Sequence, residues 1–89
     1  MSVKIITYDL NKEKNGDDRK KLLEKIKSFE WAMLSESSYA VDTHHTTKQL
    51  FDLLKPFLDN NDRVFIGILE REANWIQGKD ITSWLQKRL

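Results

Sequence analysis

The sequence predicts an α+β sandwich made as a single domain over residues 1–89, and three observations carry that reading. Runs rich in β-branched and aromatic residues alternate with stretches whose apolar residues recur at helical spacing. Their order is β-α-β-β-α-β, the order of two split β-α-β units in a ferredoxin-like sandwich with an antiparallel sheet. A chain of 89 residues without repeats or a low-complexity linker is also well below the size at which chains divide.

The first strand is Val3 to Leu10, where Val3, Ile5, Ile6 and Thr7 are β-branched and the apolar run stops at Asp9. The polar "NKEKNGDD" that follows contains Gly16 and ends in acids suited to a helix N-cap. Leu22, Leu23, Ile26 and Phe29 then form one stripe, so the first helix spans about Asp18 to Phe29. "WAML" and "SYAVDT" read as two strands joined by "SES", where the serines suit a bulge as well as a hairpin. Thr46 and Gln49 stand at capping-box spacing before a stripe of Leu50, Leu54, Phe57 and Leu58. Pro56 must distort the last turn of that second helix, because it lacks a donor. "RVFIGILE" is apolar on both alternations and predicts a central strand covered on both faces. "REANWIQ" predicts a short edge strand, and "KDITSWLQKRL" a final helix capped by Asp80 and buried through Ile81, Trp84 and Leu85.

Composition narrows the function classes. No cysteine is present, so disulfide staples and thiolate zinc sites are excluded. No apolar run approaches the roughly 20 residues of a membrane span, and the start lacks a signal-peptide pattern. The expectation is a cytoplasmic protein with no membrane partner. A domain this small buries only about 60–65% of its unfolded surface, so a homodimer is a natural way to bury more. The net charge of +1 hides an asymmetry, with seven basic and four acidic residues from Lys12 to Lys27. From Ser28 to Gly78 the balance reverses, to four basic against eight acidic. A basic first helix attracts phosphate; the plainer reading is a solvated face of mixed charge.

Asp9 at the tip of the first strand is the leading candidate site. It is either a turn residue that accepts backbone hydrogen bonds or a carboxylate offered to a cation. Mg2+ wants six oxygens, so Asp9 needs help from Asn11, from Asp17 or Asp18, or from a second Asp9 across a dimer axis. His44 and His45 are adjacent, which is poor metal-ligand spacing, and read as loop residues near a cap. Ser35, Ser37 and Ser38 lack the neighbours of a nucleophile and read as turn and strand residues. No phosphate-cradling glycine motif is present. Tyr8, Tyr39, Trp31 and Trp75 offer an aromatic surface for stacking on bases, although in a thin core such residues are more often core.

"VKIITYDLN" resembles the first strand of the small Cas-two-like CRISPR-associated adaptation proteins, where an apolar strand ends in Tyr-Asp before a basic helix. The remainder is similar to short SinR-like relatives of that family, through "LSESSYAV" (34–41), "LLKPFLDNND" (53–62) and "SWLQKRL" (83–89). More distantly, the fold and strand-one Asp resemble virulence-associated protein D. The resemblance implies a ferredoxin-like homodimer associating through its C-terminal region, active in bacterial or mobile-element defence. It implies a nucleic-acid-binding or scaffold role on RNA or DNA. The alternatives are a nuclease using Mg2+ or Mn2+ and a regulator that binds another protein. For a nuclease, Asp9 is the metal ligand and catalytic residue, Asn11 and Ser37 are orienting groups, and Lys20, Lys21, Lys25 and Lys27 hold the nucleic-acid backbone. The sequence departs from the larger family at its "R-x-Q-x-S-V-F-E" strand, replaced here by "WAMLSESSYAV", and in the very short loop between strands two and three.

Overall fold

The computed structural model describes residues 2–11, 16–71 and 79–89. They form β1 (Ser2–Asp9), α1 (Gly16–Ile26), β2 (Glu30–Ser35), β3 (Ser38–Thr43), α2 (Thr47–Leu54), β4 (Arg63–Leu69) and α3 (Lys79–Arg88). The four strands make one sheet in the order β2-β3-β1-β4, with every neighbouring pair antiparallel. This is an α+β domain with three helices on a four-stranded antiparallel sheet. No helix among the described residues is long and apolar enough to cross a membrane.

One face of the sheet carries the core. Ile6 of β1 and Tyr39 and Val41 of β3 meet Leu22 and Ile26 of α1 and Leu50 and Leu54 of α2. Strand alternation puts Val3, Ala32, Ala40 and Asp42 on the other face. There α3 packs along β2, with Leu85 buried and Arg88 Nε donating to Asp42 Oδ2 at 3.0 Å. Lys4 lies on the core side beside Ile6, only 4% exposed. Its stem fills apolar space while Nζ donates to the Thr43 carbonyl at 2.9 Å and to Ser2 Oγ at 2.6 Å.

Local signals held where the chemistry is local. Thr46 Oγ1 accepts from the Gln49 N–H at 3.1 Å, and Gln49 Oε1 accepts from the Thr46 N–H at 2.9 Å, closing the capping box. Pro56 lies in a 3-10 turn, Lys55–Phe57, that ends α2 early. The β2–β3 connection is a two-residue turn at Glu36 and Ser37. Neither residue has positive φ, so the turn is not the mirror-image type that matches strand twist. The mismatch is absorbed by an irregularity between Met33 and Ser35, so the serine segment is both hairpin and bulge.

Other boundaries move. The first helix starts at Gly16 and stops at Ile26, short of Phe29. Beyond Ile26 the backbone tightens into i to i+3 bonds, Ser28 N–H to Lys25 O and Phe29 N–H to Ile26 O, and Ser28 Oγ also donates to Lys25 O at 2.6 Å. Asp80 is the second residue of α3, inside its first turn and not at the cap. The largest correction concerns β4. It pairs with β1 as expected but is the last strand of the described sheet, and Phe65 and Ile68 are 65% and 61% exposed. One face of β4 meets the core through Val64 and Ile66, with Ile68 exposed further along that face opposite Lys4, while Phe65 on the other face stands exposed among the described residues. The edge strand expected at 71–77 lies almost wholly outside the described residues.

Candidate functional site

Asp9 is the last residue of β1, opposite Arg63 of β4, and its side chain is exposed. No described residue donates a hydrogen bond to its carboxylate. The turn chemistry belongs to a different acid. Asp62 Oδ1 accepts from the Asn11 N–H at 2.8 Å and Asp62 Oδ2 from the Asp59 N–H at 3.0 Å. Asp62 thereby ties the loop after β1 to the loop before β4. Asp59 Oδ1 accepts from the Asn61 N–H at 2.8 Å, shaping that second loop.

A cleft of about 420 Å³ opens beside Asp9, between the β1 tip, α1 and the β2–β3 turn. Tyr8, Asp9, Leu10, Arg19, Leu23, Glu36 and Ser37 line it. Tyr8 is fixed from two sides: its N–H donates to the Ser37 carbonyl at 3.0 Å and its hydroxyl to the Glu36 carbonyl at 3.3 Å. Burial and the neighbouring Tyr39 push the Tyr8 phenol above its ordinary pKa, against the opposing pull of the Arg19 charge. On the other side of Asp9 a hollow of about 190 Å³ is lined by Thr7, Tyr8, Arg63, Val64 and Phe65. Asp9 thus stands between two concavities, and each contains one arginine.

The cleft continues along α1. A groove of about 550 Å³ is lined by Gly16, Arg19, Lys20, Leu23, Glu24 and Lys27, sharing Arg19 and Leu23 with the cleft. Helix geometry explains the set: about 100° per residue brings positions 20 and 27 to one flank. Lys21 and Lys25, four apart, fall on another flank. Of the four lysines singled out in the sequence, Lys20 and Lys27 therefore share a surface with Arg19, and Lys21 and Lys25 do not line it. In the sequence Arg19 is one of the seven basic residues from Lys12 to Lys27, and its i, i+4, i+8 relation to Leu23 and Lys27 is the signal that places it.

At the far end of the groove, Lys27 Nζ lies 5.0 Å from the Trp31 ring centroid and 6.0 Å from that of Tyr39. Tyr39 stacks on Tyr8 at 6.4 Å and meets Trp31 at 5.9 Å, so three rings form a ladder across β1, β3 and β2. The expectation that these aromatics are core holds for Tyr39, at 4% exposed, and fails for Trp31, at 40%. The reason is position: Trp31 is on the edge strand β2. Trp75 lies outside the described residues.

Asp9 and Ser37 share the cleft. Asn11 does not line it: its N–H is held by Asp62, and its carbonyl accepts from Arg19 Nη2 at 3.4 Å, which steadies Arg19. His44 is exposed, while His45 Nδ1 lies 2.7 Å from Thr43 Oγ1 and its ring is edge-on to Phe29. Both are loop residues at the α2 cap. For Mg2+ or Mn2+, the cleft offers two carboxylates, Asp9 and Glu36, beside a guanidinium. Among the described residues no group of three or more His, Cys, Asp or Glu gathers. The two cleft carboxylates alone do not make up a six-oxygen site. The chain matches no protein-family model and no curated protein.

Proposed function

We propose that this chain is a ferredoxin-like, homodimeric nucleic-acid-binding module, with a binding or scaffold role on RNA or DNA. The order β2-β3-β1-β4 with two crossover helices supports the ferredoxin-like reading. The observation that carries the binding role is the groove on α1, where Arg19, Lys20 and Lys27 converge on one surface. Clustered cations on a helix flank neutralise phosphates and release counterions, which supplies sequence-independent affinity. The Cas-two-like and SinR-like resemblance of the sequence points the same way and suggests a part in bacterial or mobile-element defence. Cytoplasmic location fits a cysteine-free chain that works on nucleic acid.

The test is binding of labelled RNA and DNA followed by anisotropy. Binding with a Kd in the range of about 1–100 µM, weakening as salt rises, is the expected result. Absence of binding to either at about 100 µM protein, at low salt, would sink the proposal.

A second reading keeps Asp9 as the centre of a divalent-metal nuclease. What favours it is that the Asp9 carboxylate is exposed beside the groove and takes no described hydrogen bond. The missing oxygens would come from a second copy's Asp9 or from the phosphates themselves. Incubating the same strands with Mg2+ or Mn2+ separates the readings. Cleavage lost in a folded Asp9→Ala protein establishes the nuclease; intact strands with wild type leave the binding module.

A further inference from the structure

We infer that the groove on α1 takes a single nucleic-acid strand rather than a duplex, with an unstacked base against the exposed part of the Trp31 side chain. This rests on the nucleic-acid reading above and specifies its ligand. The groove alone attracts any polyanion; what singles out an unpaired strand is the aromatic surface at its end. Lys27 belongs to both features, since it lines the groove and holds its Nζ over the Trp31 ring. A phosphate drawn to Lys27 therefore brings the neighbouring base within reach of the indole. Trp31 keeps 40% of its surface open, and Met33, two residues along the same strand and on the same side, keeps 48%. Below it the ladder through Tyr39 to Tyr8 fixes the ring's position from behind.

Charge argues against a duplex. Double-stranded DNA presents one charge per about 1.7 Å of axis, and a protein that holds it needs a broad basic surface. Among the described residues, the basic strip lining the groove is a single helix flank carrying Glu24 within it. Asp9 and Glu36 close its other end, and the whole chain has a net charge of only +1. The second strand of a duplex would meet those carboxylates. A single strand can run its phosphates past Arg19, Lys20 and Lys27 and turn its bases to Trp31. Bases of any identity have a stacking face, so this contact is sequence-tolerant.

The experiment compares oligothymidylate with a DNA duplex of equal length, for wild type, Trp31→Ala and Trp31→Phe. All are measured across a salt series, with a thermal melt to confirm folding. Expected are tighter binding of the single strand, a loss on the order of tenfold in Trp31→Ala and near-complete retention in Trp31→Phe. The salt slope of Trp31→Ala should match wild type, because stacking releases no counterions. Equal affinity for the two forms, or a Trp31→Ala protein that binds the single strand as well as wild type, overturns the inference while the phosphate-binding reading stands. Failure of wild type to bind either form, with oligouridylate and an RNA duplex tested beside the DNA, overturns both.

Discussion

Two acids in ordinary turn positions have opposite roles. Asp62 spans two loops with its two oxygens, whereas no described residue holds the Asp9 carboxylate. Asp62→Ala should therefore cost about 1 kcal/mol of stability, since the part-buried Asn11 amide loses that acceptor while the exposed Asp59 amide turns to water. Asp9→Ala should change stability by less than about 0.5 kcal/mol, as for an exposed surface residue. Paired urea melts read both, and a larger loss for Asp9→Ala would return the turn role to Asp9. At Tyr8 the phenol's pKa is raised by burial and by Tyr39. The neutral phenol is thus favoured in the fold. Its contribution to stability is complete below the ordinary tyrosine pKa near 10 and is lost as pH rises through the raised folded value. Tyr8→Phe should flatten the alkaline fall in stability above pH of about 10. An unchanged alkaline limb in melts would show that Tyr8 is not its source.

Among the described residues, Arg88 and Leu85 hold α3 to the sheet. Arg88 donates to Asp42 at 3.0 Å and lies 4.2 Å from the Trp84 ring centroid, while Leu85 supplies the buried apolar contact. Asp42 Oδ1 is buried and has no hydrogen-bond partner among the described residues, so Arg88 is the carboxylate's main compensation there. Arg88→Ala should cost about 2 kcal/mol and speed hydrogen exchange in α3 before any other helix. Uniform exchange across the three helices would contradict a locally held α3. What could be read from the sequence follows the range of the interaction. The Thr46–Gln49 box and the Pro56 turn involve neighbours a few residues apart, and both were legible. The exposure of Phe65 was not, because an apolar strand reads the same whether its second face meets a helix, another copy or water. Nor could two turn acids be told apart, since which one meets the Asn11 amide is settled by a contact 51 residues distant in the chain. Arg19, Lys20 and Lys27 were visible as charge, but their union with Trp31 needed the β2 edge to lie beside α1.

At the scale of the whole molecule, β4 is the last strand among the described residues and the α1 groove lies on a different element, so association and the proposed nucleic-acid binding can be tested apart. The β4 segment RVFIGIL carries no lysine, proline or bulge to blunt its edge, and it exposes Phe65 and Ile68. Natural sheets rarely leave such an edge uncovered. Light scattering at on the order of tens of micromolar should give a dimer mass, and Phe65→Glu should shift it toward monomer. A wild-type monomer at that concentration would defeat the homodimer. Whether phosphates run along one flank of α1 is read from the salt dependence of single-strand affinity in two double variants. Lys20→Ala with Lys27→Ala removes cations from the groove; Lys21→Ala with Lys25→Ala removes the same charge from the other flank. The expected result is a slope of log affinity against log salt that is shallower by about 1.4 for the first variant, and nearly unchanged for the second. Equal changes in the two slopes would contradict the account, because affinity would then follow net charge and not the groove.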